Sequence, residues 1–488
     1  MTQPDILVRP DVLVRNVTAI TVDPERRVIE RAWIAVTGDR ISAIGTDHHA
    51  EPVGAKDIID GTGMVAMPGL IDSHSHAGHG LVRNAGAGLD SWFDACEEIY
   101  ARGSTPAFWR AEARMTQLER LRGGITTGMT LLGGGADIYR TDDPVYGDAH
   151  CAATAESGLR TFMAVGPGRP PFPKNYRQFS KTGQASDVTV TFERQLEVSE
   201  ILIDRWNDVL GRGTGACLVM PVYYAAQVAD TDDRRQVIEM GEAIMDLRRR
   251  KGVLFTQDGH RDGSIALARD LGVLGEFALL GHSVDLTEDD FAALKETGAS
   301  IIHNPSAIMS VYGRCPVPEL IEAGINVCLG SDAAAPDRGY DMFRHMAQCM
   351  HYHRRHFRDP AYLPPGKTIE MATIDAARAL GLENELGSLE TGKKADIVLI
   401  DMRKPHLYPP VMPVTRIAHF ANAADVDTVI VNGKVLMRGR KTDHLDANDI
   451  LADAAEQAAL AFERVGLTHL LEEPEDFWRN ARQPLPAG

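Results

Sequence analysis

The residues able to do chemistry in this chain are its histidines and the carboxylates near them. There are 17 histidines, a frequency at which about half a His-x-His triplet arises by chance. Two occur, His74/His76 and His351/His353, and their settings differ. His74 and His76 follow the apolar run Val65-Ala66-Met67-Pro68-Gly69-Leu70-Ile71-Asp72. At the end of an extended strand, residues i and i+2 point the same way, so both imidazoles can reach one cation. His351 and His353 lie within 342–356, which reads as a helix. There, i and i+2 diverge by roughly 200° and cannot share a metal, so this pair reads as a polar helix face. More candidates close apolar runs in the same half: His260 after 253–259, His282 after 277–281, His303 after 300–302 and Asp332 after 326–331. Histidine with a carboxylate is first-row-metal chemistry, and an open coordination position would hold a water.

Something must bring these positions together. Across 67–375, short apolar runs alternate with helical patterns at 234–250, 263–271, 288–297 and 318–323. That alternation predicts an α/β fold, a (β/α)8 barrel, whose strands deliver their carboxyl ends to one mouth. Short Val- and Ile-rich runs at 6–8, 11–14, 17–22, 32–37 and 40–45 return in kind at 395–401 and 427–431, and an Asn432-Gly433 turn precedes 434–437. Residues 1–66 and 376–440 are therefore expected to form one composite β-sandwich domain. Residues 441–488 read as a helical extension, Ala-rich over 447–465, and 167–187 reads as a long loop.

Composition narrows the function. The chain has 488 residues, 44% hydrophobic and 24% charged, so it has material for a sizeable core. A net charge of −17 disfavours nucleic acid and anionic lipid as partners. No apolar run approaches a membrane span, and the first residues lack a secretory pattern. Six cysteines without a C-x-x-C pair fit a reducing cytoplasm. Gly387–Lys394 has the glycine spacing of a phosphate loop, but Lys394 stands where magnesium needs Ser or Thr.

Met67-Pro68-Gly69-Leu70-Ile71-Asp72-Ser73-His74-Ser75-His76 resembles the first-strand signature of the amidohydrolase superfamily. Arg83, Trp92-Phe93, Gly123-Gly124-Ile125-Thr126-Thr127, Gly281-His282 and His303-Asn304-Pro305-Ser306 continue the match. So do 313–318, Gly330-Ser331-Asp332 and 387–398, in the family's order over almost the whole chain. The chain is similar to the branch holding aromatic deaminases and the hydrolases of triazines, phenylureas and thiocarbamates. The resemblance implies one divalent metal per chain, zinc or iron, with cobalt and manganese as alternatives. It matches His74 and His76 to the first-strand ligands, His282 to the sixth-strand histidine and Asp332 to the eighth-strand aspartate. Homo-oligomerisation is a further family expectation. One departure is serious: the fifth strand normally carries His-x-x-Glu, and here the stretch reads Gln257-Asp258-Gly259-His260. Either Gln257 or His260 fills the histidine slot, and the glutamate is absent both ways.

A bound divalent metal lowers the pKa of water from 15.7 to near ~7. Asp332 would then shuttle its proton and His282 would bond the developing oxyanion. Imidazole is the better ligand, so His260 is expected at the metal or its water, with Gln257 beside it. His303, Trp92, Phe93, Met309 and Tyr312 are candidate pocket residues for a small, mostly neutral substrate. The missing glutamate favours hydrolysis of an amide, urea or carbamate, or displacement at an electrophilic carbon. The alternatives are deamination of a purine, pyrimidine or triazine-like ring, and a non-catalytic scaffold of the same fold.

Overall fold

Eight short apolar runs between 70 and 329 form strands that are almost wholly buried. They are β1 (Leu70–Asp72), β2 (Ile125–Leu131), β3 (Arg160–Val165), β4 (Thr214–Val219), β5 (Leu254–Gln257), β6 (Ala278–Gly281), β7 (Ser300–His303) and β8 (Val327–Leu329). The computed structural model describes residues 9–49, 51–86, 89–134, 138–180, 183–334 and 338–473. The strand expected at 6–8 and the tail beyond 473 lie outside them. The eight strands pair in chain order, all parallel. The sheet closes where Ser73 N donates to Leu329 O (3.1 Å) and Asp332 N donates to His74 O (2.9 Å). The result is the expected (β/α)8 barrel.

A parallel strand covered on both faces is apolar throughout, and its two faces feed two cores. Ile71, Met129, Phe162, Cys217, Leu279 and Ile302 fill the barrel interior. Leu70, Ile125, Met163, Phe255, Leu280 and Ile301 face the surrounding helices. The helix Ile374–Ala379 plugs the end where the strands begin: Ala376 and Ala377 join the inner core, and Ala372 O accepts from Ile71 N (2.8 Å). The site can therefore open only at the carboxyl ends.

The helices start and stop where local chemistry tells them to. Asp230 caps Thr231–Lys251, accepting from Asp232 N at 2.8 Å, and Gly252 ends it at φ 63°. Thr287 and Asp290 form a capping box on Glu288–Thr297.

Strands from both chain ends share one mixed sheet. Val12–Ile20, Val28–Thr37, Arg40–Thr46, Asp57–Asp60 and Met64–Pro68 join Ile397–Asp401, Val426–Val431 and Lys434–Met437. Ile397–Asp401 pairs antiparallel with Met64–Pro68, just beyond the first sixty residues; those connect through Val12–Ile20, which pairs with Met64–Pro68 in parallel. The sheet curls so that Val14, Ile34, Ala66, Ile397 and Ile430 enclose a small core. Asn432 and Gly433 turn the last hairpin with φ 48° and 72°, the left-handed pair that a two-residue turn requires.

One expectation fails outright. The presumed loop at 167–187 contains a hairpin, Lys174–Phe179 against Ala185–Val190. Its strands are rich in polar residues and only Tyr176 and Val190 are buried, so no sustained apolar alternation announces them. Tyr176 anchors the hairpin by donating its hydroxyl to Tyr139 O (3.0 Å).

Candidate metal centre

Five side chains from four strand ends converge at the mouth: His74, His76, Asp258, His282 and Asp332. His74, His282 and Asp332 offer ligand atoms within 4.8 Å of one another, and so do His74, His76 and Asp258. Asp258 lies 3.4 Å from Nε2 of both His74 and His76 and 2.9 Å from Nε2 of His282. Asp332 lies 3.6 Å from His74 Nε2 and 3.2 Å from His76 Nε2.

The surroundings lock this set. Asp72 accepts from Ser331 N and Ser331 Oγ, both at 2.8 Å, and faces Arg120 at 3.3 Å, which braces β1 against β8. His76 Nδ1 donates to Gly133 O (3.0 Å), so its Nε2 faces the centre. His79 stacks on His76 with ring centroids 4.6 Å apart, and its Nδ1 meets the Tyr100 hydroxyl at 2.5 Å. His282 and Asp332 sit in the left-handed region at φ 66° and 52°. Strained backbone of this kind costs on the order of 1–3 kcal/mol and clusters at functional sites.

The electrostatics invite a cation. Burial opposes ionisation of Asp332, but the imidazoles of His74 and His76 beside it and the charges of His282 and Arg338 more than offset it, holding the carboxyl well below its usual range. For Asp258, burial is likewise outweighed, by His74, His282 and His76. In return, and against burial, the two carboxylates raise His76 to about 10. Both ring nitrogens of His74 are buried without a hydrogen-bond partner, a defect costing about 1–3 kcal/mol per group. Three imidazoles and two carboxylates, with orphaned donor atoms among them, fit a first-row divalent ion.

Two candidates stand elsewhere than the sequence suggests. His260 is buried, but its Nδ1 meets Ser264 Oγ at 2.9 Å, and it belongs to no ligand cluster among the described residues. Gln257 is buried against the end of β4 instead, donating Nε2 to Pro221 O (3.1 Å). Asp258, between them, takes the place weighed for either. Strand alternation held the signal: Leu254 packs on the inner core and Phe255 on the outer, so Gln257 faces out and Asp258 faces in.

The same alternation moves His303. It follows Ile301 outwards, and its ring lies 5.5 Å from that of His353, away from the mouth. Its neighbour Asn304 turns inwards instead, with Nδ2 3.5 Å from His282 Nδ1. His353 is buried while His351 is exposed, so His353 is not on a polar face. Trp92 is buried, donates Nε1 to Val82 O (2.8 Å) and packs edge-on against His79, backing the site rather than lining it. Phe93 and Tyr312 are exposed and Met309 is half-buried. Arg338, which the sequence does not single out, reaches Asp332 at 3.8 Å and donates Nε to Ser306 O (2.8 Å).

A closed barrel with a His/Asp cluster at its carboxyl mouth defines a metal-dependent hydrolase. The chain belongs to the amidohydrolase family, whose sequence pattern matches residues 65–436. It is 30% identical over 461 residues to the 5-methylthioadenosine/S-adenosylhomocysteine deaminase of Moorella thermoacetica, covering 91% of this chain and 98% of that one. An adenosine deaminase from Xanthomonas campestris, solved with bound zinc, shares the fold at TM-score 0.78 and 21% identity, over 94% of this chain and 99% of that one. The atrazine chlorohydrolase of Arthrobacter aurescens, also solved with zinc, shares it at TM-score 0.75 and 24% identity, over 92% and 100%. No described helix is long and apolar enough to cross a membrane.

Proposed function

We propose that this chain is an aminohydrolase that replaces the exocyclic amino group of a purine-like ring with oxygen and releases ammonia. The observation that carries the reading is the deaminase similarity over nine-tenths of both chains, with the mouth cluster assembled in the same chain. It reverses the order expected from the missing glutamate, which placed amides, ureas and carbamates first.

His74, His76 and Asp332 would hold the ion, with Asp258 and His282 completing its surroundings, and zinc suits this donor set. When bound, such an ion supplies Lewis acidity that brings the pKa of a water near ~7. Asp332, kept ionised by its neighbours, accepts the proton of the attacking water at a carboxylate oxygen and passes it to the departing amine. His282 Nε2 stands beside both carboxylates and donates to the oxygen entering the ring. Arg338, 3.8 Å away, favours the ionised carboxylate before the first transfer and after the second. No glutamate follows Asp258, since the position three residues on is Arg261. Protonation of a ring nitrogen therefore falls to the Asp258–Asp332 pair, which would carry to it the second proton of the attacking water, from the oxygen added to the ring.

The test is a screen of zinc-loaded protein against aminopurine nucleosides, ureas, carbamates and amino- or chlorotriazines, with ammonia, amine and chloride read separately. Ammonia from an aminopurine nucleoside, abolished by Asp332→Asn, is the expected result. Amine or chloride release, with every aminopurine left intact, would replace this reading with hydrolysis of a urea, carbamate or triazine. That second reading is favoured by the one feature noted above, the absent fifth-strand glutamate.

A further inference from the structure

We propose a second cation site, formed by His303, Cys349 and His353, that takes a borderline-soft ion, zinc, between the barrel wall and an outer helix. His303 ends β7 on its helix-facing side. Cys349 and His353 are four residues apart on Met342–Phe357 and so share one face of that helix. A ring nitrogen of each histidine and the Cys349 Sγ lie within 4.8 Å of one another, and all three residues are buried.

All four ring nitrogens of His303 and His353 are buried without a hydrogen-bond partner. One orphaned imidazole is a packing defect. Two of them converging on a thiol is the pattern of a ligand set, because each imidazole then has a use for its lone pair. Burial drives both histidines down, His353 to about 4, so both present lone pairs rather than positive charge. Sulfur with imidazole selects zinc over magnesium or calcium, which prefer oxygen donors. Binding is a proton exchange without redox: the S–H bond of Cys349 breaks, the sulfur's electron pair goes to the ion, and one proton per ion leaves for bulk water. The set lacks a carboxylate and the strained backbone of the mouth, so its role is to fasten. It ties β7 to the helix and so holds Asn304, the next residue, against His282.

Cobalt(II) in place of zinc separates this site from the mouth. A thiolate on cobalt gives a near-ultraviolet charge-transfer band that His and Asp donors cannot give. Cobalt-loaded full-length protein should show that band. Asp332→Asn should keep it. Cys349→Ser should lose it together with one equivalent of cobalt, while turnover at the mouth persists. Should Cys349→Ser not fold, His353→Gln must weaken cobalt retention by at least about 10-fold. A loaded wild-type protein without the band, or a band that survives Cys349→Ser, would overturn the proposal. Neither result bears on the deaminase reading, which the ammonia screen decides.

Discussion

Two sets of buried histidines stand on opposite sides of the barrel wall, and burial has opposite outcomes for them. At the mouth, His76 and His282 face Asp258 and Asp332, whose charges overcome burial and raise both imidazoles. Behind the wall, His303 and His353 meet a thiol and each other, and burial drives both down. Residue type and depth are the same; the partners differ. Paired charge is what proton-transfer chemistry uses, whereas a set of neutral lone pairs can hold an ion but cannot move a proton for a substrate.

The comparison breaks most visibly at Asp332. Asp332→Asn keeps the shape and removes the charge, so turnover should fall by at least the roughly 10²–10⁴-fold that a positioned acid–base group contributes. Steady-state rates of ammonia release measure this, and a variant within tenfold of the parent would take the proton shuttle away from Asp332.

The fifth strand sharpens it. Asp258→Asn leaves three imidazoles sharing one carboxylate, and zinc affinity should drop by more than the roughly 10–100-fold typical of outer-shell changes. His260→Ala removes a ring bonded to Ser264 and should cost no more than the low end of that range. Competition with a chromophoric chelator compares the two. If His260→Ala proves the more damaging, the ligand assignment on β5 is reversed.

Much of this was legible, and the reason lies in what alternation encodes. The barrel, the sheet shared by both chain ends and the convergence of His74, His76, His282 and Asp332 all follow from apolar runs with polar residues at their ends. Asp258 was legible too, since Leu254 and Phe255 set which side it takes. Matching the stretch to His-x-x-Glu drew attention to its two outer residues instead. His303 misled for the converse reason: it ends a strand, but on the outward side. Arg338 gave no local signal, because its contact with Asp332 depends on the path of the chain after β8. The polar hairpin from Lys174 to Val190 left no apolar period to find.

The smallest effect concerns a third buried acid, Glu112 on the helix Pro106–Arg122, which shares the mouth carboxylates' burial without their imidazoles. Burial raises its pKa to about 7, only partly opposed by backbone N–H groups of Gly78 and Gly80 and by the charges of Arg120 and Arg83. Its Oε2 has no hydrogen-bond partner. Unfolded, the group titrates near the ordinary glutamate value of 4.5. Between about pH 4.5 and 7 the folded chain therefore holds a proton that the unfolded chain has released, and stability falls as pH rises through that window. Above it the penalty is constant, at most about 3 kcal/mol from 1.36 kcal/mol per pKa unit. Glu112→Gln keeps an acceptor for the backbone and removes the charge. It should match the parent near pH 4.5 and exceed it in stability at pH 8. Denaturant unfolding across pH 4.5–8 reads the difference. Curves that stay parallel throughout would show that Glu112 is ionised in the folded chain, and that the imidazoles are not what separates the mouth carboxylates from a merely buried one.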